Sequence, residues 1–81
     1  MQVIEVLRTF IKDELVPNLD HLDENQSLLE GAILDSLRIV KLVMFIEEKF
    51  DLNISDRELV PDNFETLSSI SKLISNKHEI N

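Results

Sequence analysis

Apolar side chains recur at three- and four-residue steps at the start of the chain, which is the spacing of an amphipathic helix. The buried stripe of this helix would consist of Val3, Leu7, Phe10, Ile11 and Leu15. We therefore predict a first helix over about residues 2–16. Pro17 ends it, because a proline disfavours helical geometry in the residue that precedes it.

Residues 17–34 break this pattern, since the segment is polar and its apolar residues are too loosely spaced for a long helix. We predict a long loop, of a length that is uncommon in compact domains and often functional. To stay ordered it must be held against the core by its apolar side chains, which are Leu22, Leu28, Leu29, Ile33 and Leu34.

A second helix is predicted from Ser36 to Phe50. Asp35 is its expected N-cap, because an aspartate carboxylate can accept hydrogen bonds from the first backbone amides of a helix. Ser36 then becomes the first helical residue, and its hydroxyl is not needed for capping.

Two shorter signals follow. Ser55 and Glu58 have the spacing of a capping box, which predicts a short helix over residues 55–60 closed by Pro61. Thr66 is the expected cap of the last helix, with a tail that frays after Ser75. The buried stripe of that helix would be Leu67, Ile70, Leu73 and Ile74.

No stretch alternates apolar and polar residues as a strand does. The fold class predicted for residues 1–81 is therefore all-α and a single domain, with three main helices and one short helix. The predicted core is Val3, Leu7, Phe10, Ile11, Ile39, Leu42, Val43, Ile46, Phe50, Ile54, Phe64, Leu67, Ile70 and Ile74.

Chain length, net charge and the length of apolar runs exclude several classes of function. A chain of 81 residues has room for one modest core, so a deep catalytic cleft is not expected. Sixteen acidic residues against eight basic ones give a net charge of -8, which repels nucleic acid and anionic lipid surfaces. No apolar run approaches the ~20 residues of a membrane span. We expect a cytoplasmic monomer that binds neither nucleic acid nor membrane.

The absence of cysteine excludes disulfides and thiolate metal sites. Asp51, Asn53 and Ser55 imitate the start of a calcium loop. The sixth position of such a loop should be glycine and the twelfth glutamate, but they are Asp56 and Asp62. No metal site is therefore predicted.

Ser36 is the candidate for chemistry. It does not suit a nucleophilic enzyme, because His21 in the loop and His78 in the tail are not placed to act as its base. It does suit an acceptor for a group attached by another enzyme, since the start of a helix favours a phosphodiester. From these residues alone, Asp35 and Ser36 could equally be an ordinary helix start.

The apolar arc of the second helix is wider than one core contact requires. We assign Leu37 to the core, and Val40 and Met44 to an exposed docking strip. Phe45 lies among charged residues, where it is either an isolated surface aromatic or a partner contact.

The segment GAILDSL at residues 31–37 resembles the attachment motif of the acyl and peptidyl carrier protein family. The similarity continues through FIEEKF at residues 45–50, Ile54, Ser55, Asp56 and NFETL at residues 63–67. It therefore covers nearly the whole chain in order and spacing.

This resemblance implies a four-helix bundle of the acyl carrier protein type. It also implies that a phosphopantetheinyl transferase attaches 4'-phosphopantetheine from coenzyme A to Ser36, while Asp35 and Leu37 match the motif positions that present it. The thiol of the arm would carry an acyl or aminoacyl group as a thioester. The carrier itself is then not an enzyme, and the thiol belongs to the cofactor rather than to a cysteine.

Partners implied by the resemblance are an acyl- or amino acid-activating (adenylating) enzyme and downstream transferases or synthases. They would meet the second helix at positions that match the partner surface of the family, together with neighbouring residues. This predicted surface is Val40, Lys41, Met44, Phe45, Glu47 and Glu48.

The chain departs from two branches of the family. Carriers of fatty acid synthesis have an acidic second helix and a glycine nearer the serine, whereas this chain has Arg38 and Lys41. The paired glycines of modular peptide synthetase carriers are also absent. These departures favour a discrete carrier in a specialised pathway over the housekeeping fatty-acid carrier. The alternative is an unmodified acidic helical module that docks proteins through Val40, Met44 and Phe45.

Overall fold

The computed structural model describes the backbone of residues 3–80 and the side chains of residues 3–77. It contains helices α1 (Val3–Phe10), α2 (Ser36–Phe50), α3 (Pro61–Phe64) and α4 (Leu67–Ile80). A π-helical turn, Ile11–Leu15, extends α1, and a 3-10 turn, Asp56–Glu58, precedes α3. No strand occurs in residues 3–80, which confirms the predicted all-α class.

The first helix covers the predicted span but widens in its last turn. Its π geometry is visible in the bond from Val16 N to Ile11 O, 2.8 Å across five residues. Ile11 and Leu15 are both buried in this turn. The helix ends before Pro17, as predicted, and the predicted start at residue 2 lies outside the described residues.

The long loop is hydrogen-bonded to the residues around the start of α4. Leu28 is fully buried, and its amide donates to Glu65 O at 2.7 Å, while Ser68 N donates to Glu24 O at 3.0 Å. The Ser27 hydroxyl also donates to the Glu65 carboxylate. The prediction that this loop attaches itself to the core is therefore confirmed.

The connection before α4 differs from the prediction. The short helix ends at Glu58, and Pro61 begins α3 instead of closing a turn. A proline suits the first position of a helix because its φ is already helical and its missing amide has no partner there. Helix α4 begins with Thr66 Oγ1 accepting from Ser69 N at 3.0 Å, as expected for the cap. It continues to Ile80, so the prediction of fraying after Ser75 was wrong.

The predicted core was correct in outline and too small. Its members are buried or, for Val3, Phe10, Ile39, Val43 and Phe50, half-buried against the core. Further buried residues come mainly from the loop and the connections: Leu15, Leu22, Leu28, Ile33, Leu34, Leu52 and Leu73.

Lys77 near the end of α4 is bonded to the 3-10 turn. Its ammonium donates to Glu58 Oε1 at 2.7 Å, and the same oxygen accepts from Ser55 N at 2.9 Å. The hydrogen bond from Lys77, and then the one from the Ser55 backbone, hold the pKa of Glu58 below its ordinary value of 4.5.

This ion pair should make stability depend on pH in a defined direction. Because the folded-state pKa of Glu58 is lowered, its contribution is present above the unfolded pKa and lost as pH falls through the folded pKa. We expect Lys77→Gln to lower the free energy of unfolding at pH 7, and this deficit should shrink towards pH ~3. Urea titrations at both pH values measure it, with exposed Lys72→Gln as control. A deficit that stays constant with pH would contradict the assignment.

Candidate functional site

Ser36 is exposed at the first position of α2. The capping oxygen comes from its neighbour, since Asp35 Oδ1 accepts from Arg38 N at 2.8 Å. The first intrahelical bond runs from Ile39 N to Asp35 O at 2.9 Å. The predicted cap is confirmed. Among residues 3–77 the Ser36 hydroxyl takes part in none of the hydrogen bonds that cap the helix.

The loop fixes the approach to this serine. The Arg38 guanidinium donates to Ile33 O at 3.3 Å and lies 4.0 Å from Asp35 Oδ2. Ile33 is buried and its amide donates to Leu28 O at 3.0 Å. The last loop residues are thus bonded both to the core and to the first turn of α2, so Ser36 is held at a defined point.

A tight turn precedes this anchored stretch. Ala32 has a φ of 58°, in the left-handed region, where alanine is uncommon. At Gly31 a Cβ atom would lie 3.2 Å from Ser27 O, closer than most such contacts. The glycine therefore allows the backbone to pass close to the preceding turn, just ahead of the site.

The start of α2 can accommodate a phosphodiester. The amides of Ser36 and Leu37 precede the first intrahelical donor, so they are not needed inside the helix. Together with the helix dipole they favour an anion attached to the serine. The exposed start of α2 therefore fits a phosphate ester on Ser36.

An exposed apolar strip runs along α2 from the serine. Leu37 is 63 % exposed, Val40 55 % and Met44 65 %. The exposure of Val40 and Met44 agrees with their predicted docking role, but the assignment of Leu37 to the core was wrong. Leu37 lies two helical turns before Met44 and so points in nearly the same direction.

The remaining residues of the predicted partner surface differ in their exposure. Lys41 and Glu48 are exposed. Glu47 is half-buried, and its carboxylate accepts from Ile54 N at 2.9 Å. Phe45 stacks on Phe10 with ring centroids 4.0 Å apart, so neither sequence interpretation of Phe45 foresaw that its contact lies within the chain.

Sequence reasoning missed the hydrogen bonds of Arg38 and Glu47 and the ring stacking of Phe45, because each of these contacts joins residues from different segments of the chain. His21 is exposed in the loop, and the side chain of His78 lies outside the described residues. In residues 3–77 no group of three or more His, Cys, Asp or Glu side chains is arranged to hold a metal ion. Within residues 3–80 no helix is long and apolar enough to cross a membrane.

Comparison with known proteins identifies the family. Residues 3–74 match the profile of the family described as "Phosphopantetheine attachment site". Over all of its 81 residues the chain is 32 % identical to the acyl carrier protein of Campylobacter hominis, covering 96 % of that protein. It is 34 % identical over 58 residues to the acyl carrier protein of Chlamydia felis, which is 72 % of this chain and 74 % of that one.

Solved structures agree with these matches. The solution structure of a holo acyl carrier protein from Nitrosomonas europaea superimposes with a TM-score of 0.82 and 30 % identity, covering 98 % of this chain and 99 % of that one. A chain in a crystal structure of an FAD-dependent dehydrogenase gives a TM-score of 0.76 and 38 % identity, covering 84 % of this chain and 97 % of that one.

The predicted resemblance and the four-helix fold are thereby confirmed, and 4'-phosphopantetheine is the prosthetic group. Proteins of this family carry groups for other enzymes and do not catalyse reactions themselves, so the prediction of a non-enzyme is confirmed by the family. The chain belongs to the acyl carrier protein family.

Proposed function

We propose that Ser36 bears the 4'-phosphopantetheine arm. The observation that supports this is made at the start of α2: Asp35 caps the helix, and the neighbouring Ser36 is exposed and not used for capping. Asp35 Oδ1 accepts from the Arg38 amide, so the helix is capped without the serine hydroxyl that the transferase would modify. Once bound, the group provides a thiol that holds an acyl or aminoacyl cargo as a thioester.

Enzymes that act on the cargo dock on the exposed strip of α2. Val40 and Met44 are its apolar centre, and an exposed methionine adapts to differently shaped partners. Lys41 and Glu48 lie beside the strip and set its charge. Phe45 and Glu47 belong to the edge of this surface, where their internal contacts keep it rigid.

The pathway is a specialised one in place of housekeeping fatty acid synthesis. Arg38 is turned towards the loop carbonyl of Ile33, whereas Lys41 is exposed beside the strip. A partner with a basic patch would meet like charge at Lys41. A cytoplasmic location and a monomeric state remain predictions.

The downstream enzymes include a flavin-dependent dehydrogenase. The proposal is supported by the 38 % identity to a chain in the crystal structure of an FAD-dependent dehydrogenase. Because the match covers 97 % of that chain and 84 % of this one, the matched chain has the size of a carrier and not of a dehydrogenase. An activating enzyme that loads the cargo acts before it.

The carrier function is tested by intact-mass spectrometry of the apo chain with coenzyme A and a broad-specificity phosphopantetheinyl transferase. We expect the mass to rise by one phosphopantetheine group. A folded apo chain that gains no mass would instead support the unmodified interaction module.

The choice of pathway is tested by offering the holo chain malonyl groups from the malonyl transferase of fatty acid synthesis. We expect loading at least about tenfold slower than for a fatty-acid carrier, because like charges oppose docking. Lys41→Glu should recover much of the difference, and exposed Lys72→Glu in α4 should not. Rapid loading of the wild-type chain would point to the housekeeping role.

A further inference from the structure

A groove of about 460 Å³ lies between α2 and the first helix, which here comprises α1 and its π-helical turn. It meets the edge of the α2 docking surface at Phe45 but opens in a different direction from Val40 and Met44, because Phe45 follows Met44 and successive residues point about 100° apart around a helix. The groove therefore faces a different direction from the surface proposed for cargo enzymes.

The floor of this groove is apolar and aromatic. Val6, Phe10 and Phe45 line it, and all three are only half-buried. The two rings are stacked with an interplanar angle of 10°, so each covers one face of the other and leaves its edge and outer face for a ligand. Val6 and Phe10 are four residues apart on α1 and form a ridge along one side.

The rim of the groove is mainly acidic. Glu5 belongs to it but is paired with Arg8, and Lys49 is its one cation among the lining residues. Asp13 and Glu14 are exposed, and in residues 3–77 no ion pair engages either of them. The groove thus combines an aromatic pair with two carboxylates that no ion pair of residues 3–77 engages.

We propose that this groove is a second docking surface, occupied by a basic amphipathic helix of a partner protein. Arginine fits the combination best, because its guanidinium stacks on aromatic rings and makes paired hydrogen bonds to carboxylates. An apolar residue one turn away on the partner helix fills the space over Val6 and Phe10. Since the groove faces away from the exposed Leu37, Val40 and Met44, a partner bound there leaves that strip and Ser36 open to another enzyme.

A synthetic amphipathic peptide of leucine and arginine, about eighteen residues or five helical turns long, is a suitable probe. It is titrated into the isotope-labelled chain and followed by NMR. We expect saturable binding with the largest shifts at the amides of Val6, Phe10 and Phe45. Binding without saturation, or shifts centred on the α2 strip, would overturn the proposal.

Charge variants separate the groove from general attraction to an acidic protein. Asp13→Lys with Glu14→Lys should weaken binding at least about tenfold, since both charges at the rim are reversed. Asp20→Lys with Glu30→Lys makes the same change in net charge on exposed loop residues and should weaken it less than about threefold. Equal losses in both variants would show long-range attraction only and refute the site.

Discussion

The variant Ser36→Ala should gain no phosphopantetheine under conditions that modify the wild-type chain fully. The transferred group needs the serine hydroxyl as its point of attachment, and alanine offers none. Stability should change by no more than about 0.5 kcal/mol, because the side chain is exposed and Asp35 provides the cap. Intact-mass spectrometry measures the modification, and urea unfolding measures the stability.

Ser55→Ala is the matched control, because Ser55 is also an exposed serine at the start of a helical turn. It should be modified as fully as wild type but lose about 0.5–2 kcal/mol, the usual contribution of an N-cap. If Ser36→Ala were still modified, attachment would lie elsewhere in the chain. The two variants therefore separate loss of the acceptor from loss of fold.

The variant Leu28→Ala should lose about 2–5 kcal/mol of unfolding free energy, the range for emptying a fully buried leucine site. Leu28 is completely buried, its amide is bonded to Glu65 O, and its carbonyl accepts from both Ile33 N and Leu34 N. The cavity would therefore form where the loop is joined to the rest of the molecule. For a domain of this size, each kcal/mol lowers Tm by about 4–8 °C.

Leu29→Ala provides the comparison, since this neighbouring leucine is only half-buried and has less contact to lose. The unfolding free energy lost by Leu29→Ala should be clearly smaller than that lost by Leu28→Ala when both variants are unfolded in urea at the same pH. Equal and small losses would mean that the long loop is not part of the core. That result would also remove the structural basis for the fixed position of Ser36.

The elements that sequence predicted well are those specified by neighbouring residues. Helix α2 has the predicted ends, since Asp35 supplies the cap and Asp51 ends the helix in the left-handed region at φ 53°. The prediction that Pro61 closes the short helix was wrong, because a proline can either follow the end of a helix or occupy the first position of the next one. The π-helical turn after α1 could not be predicted from the apolar spacing. A π-helical turn contains one more residue than an α-helical turn, and apolar residues three and four positions apart fit both.

The candidate site divides in the same way. The place of Ser36 as the first helical residue and the cap at Asp35 follow from the order of neighbouring residues, and both were predicted. The helical wheel gives the direction of a side chain but not its neighbour, which is why the stacking of Phe45 on Phe10 was missed. Burial of the loop leucines was foreseen only in general terms, because their positions depend on bonds to residues far along the chain.

The bonds between the loop and the start of α4 have a consequence for the order in which the molecule is built. Leu28 and Glu24 are bonded to Glu65 and Ser68, which leave the ribosome much later because synthesis proceeds from the N-terminus. Helix α2 can therefore form before its preceding loop can close. Fixed presentation of Ser36 is completed only when residues 65–68 have also emerged, so the proposed attachment site matures after the loop that precedes it has been made.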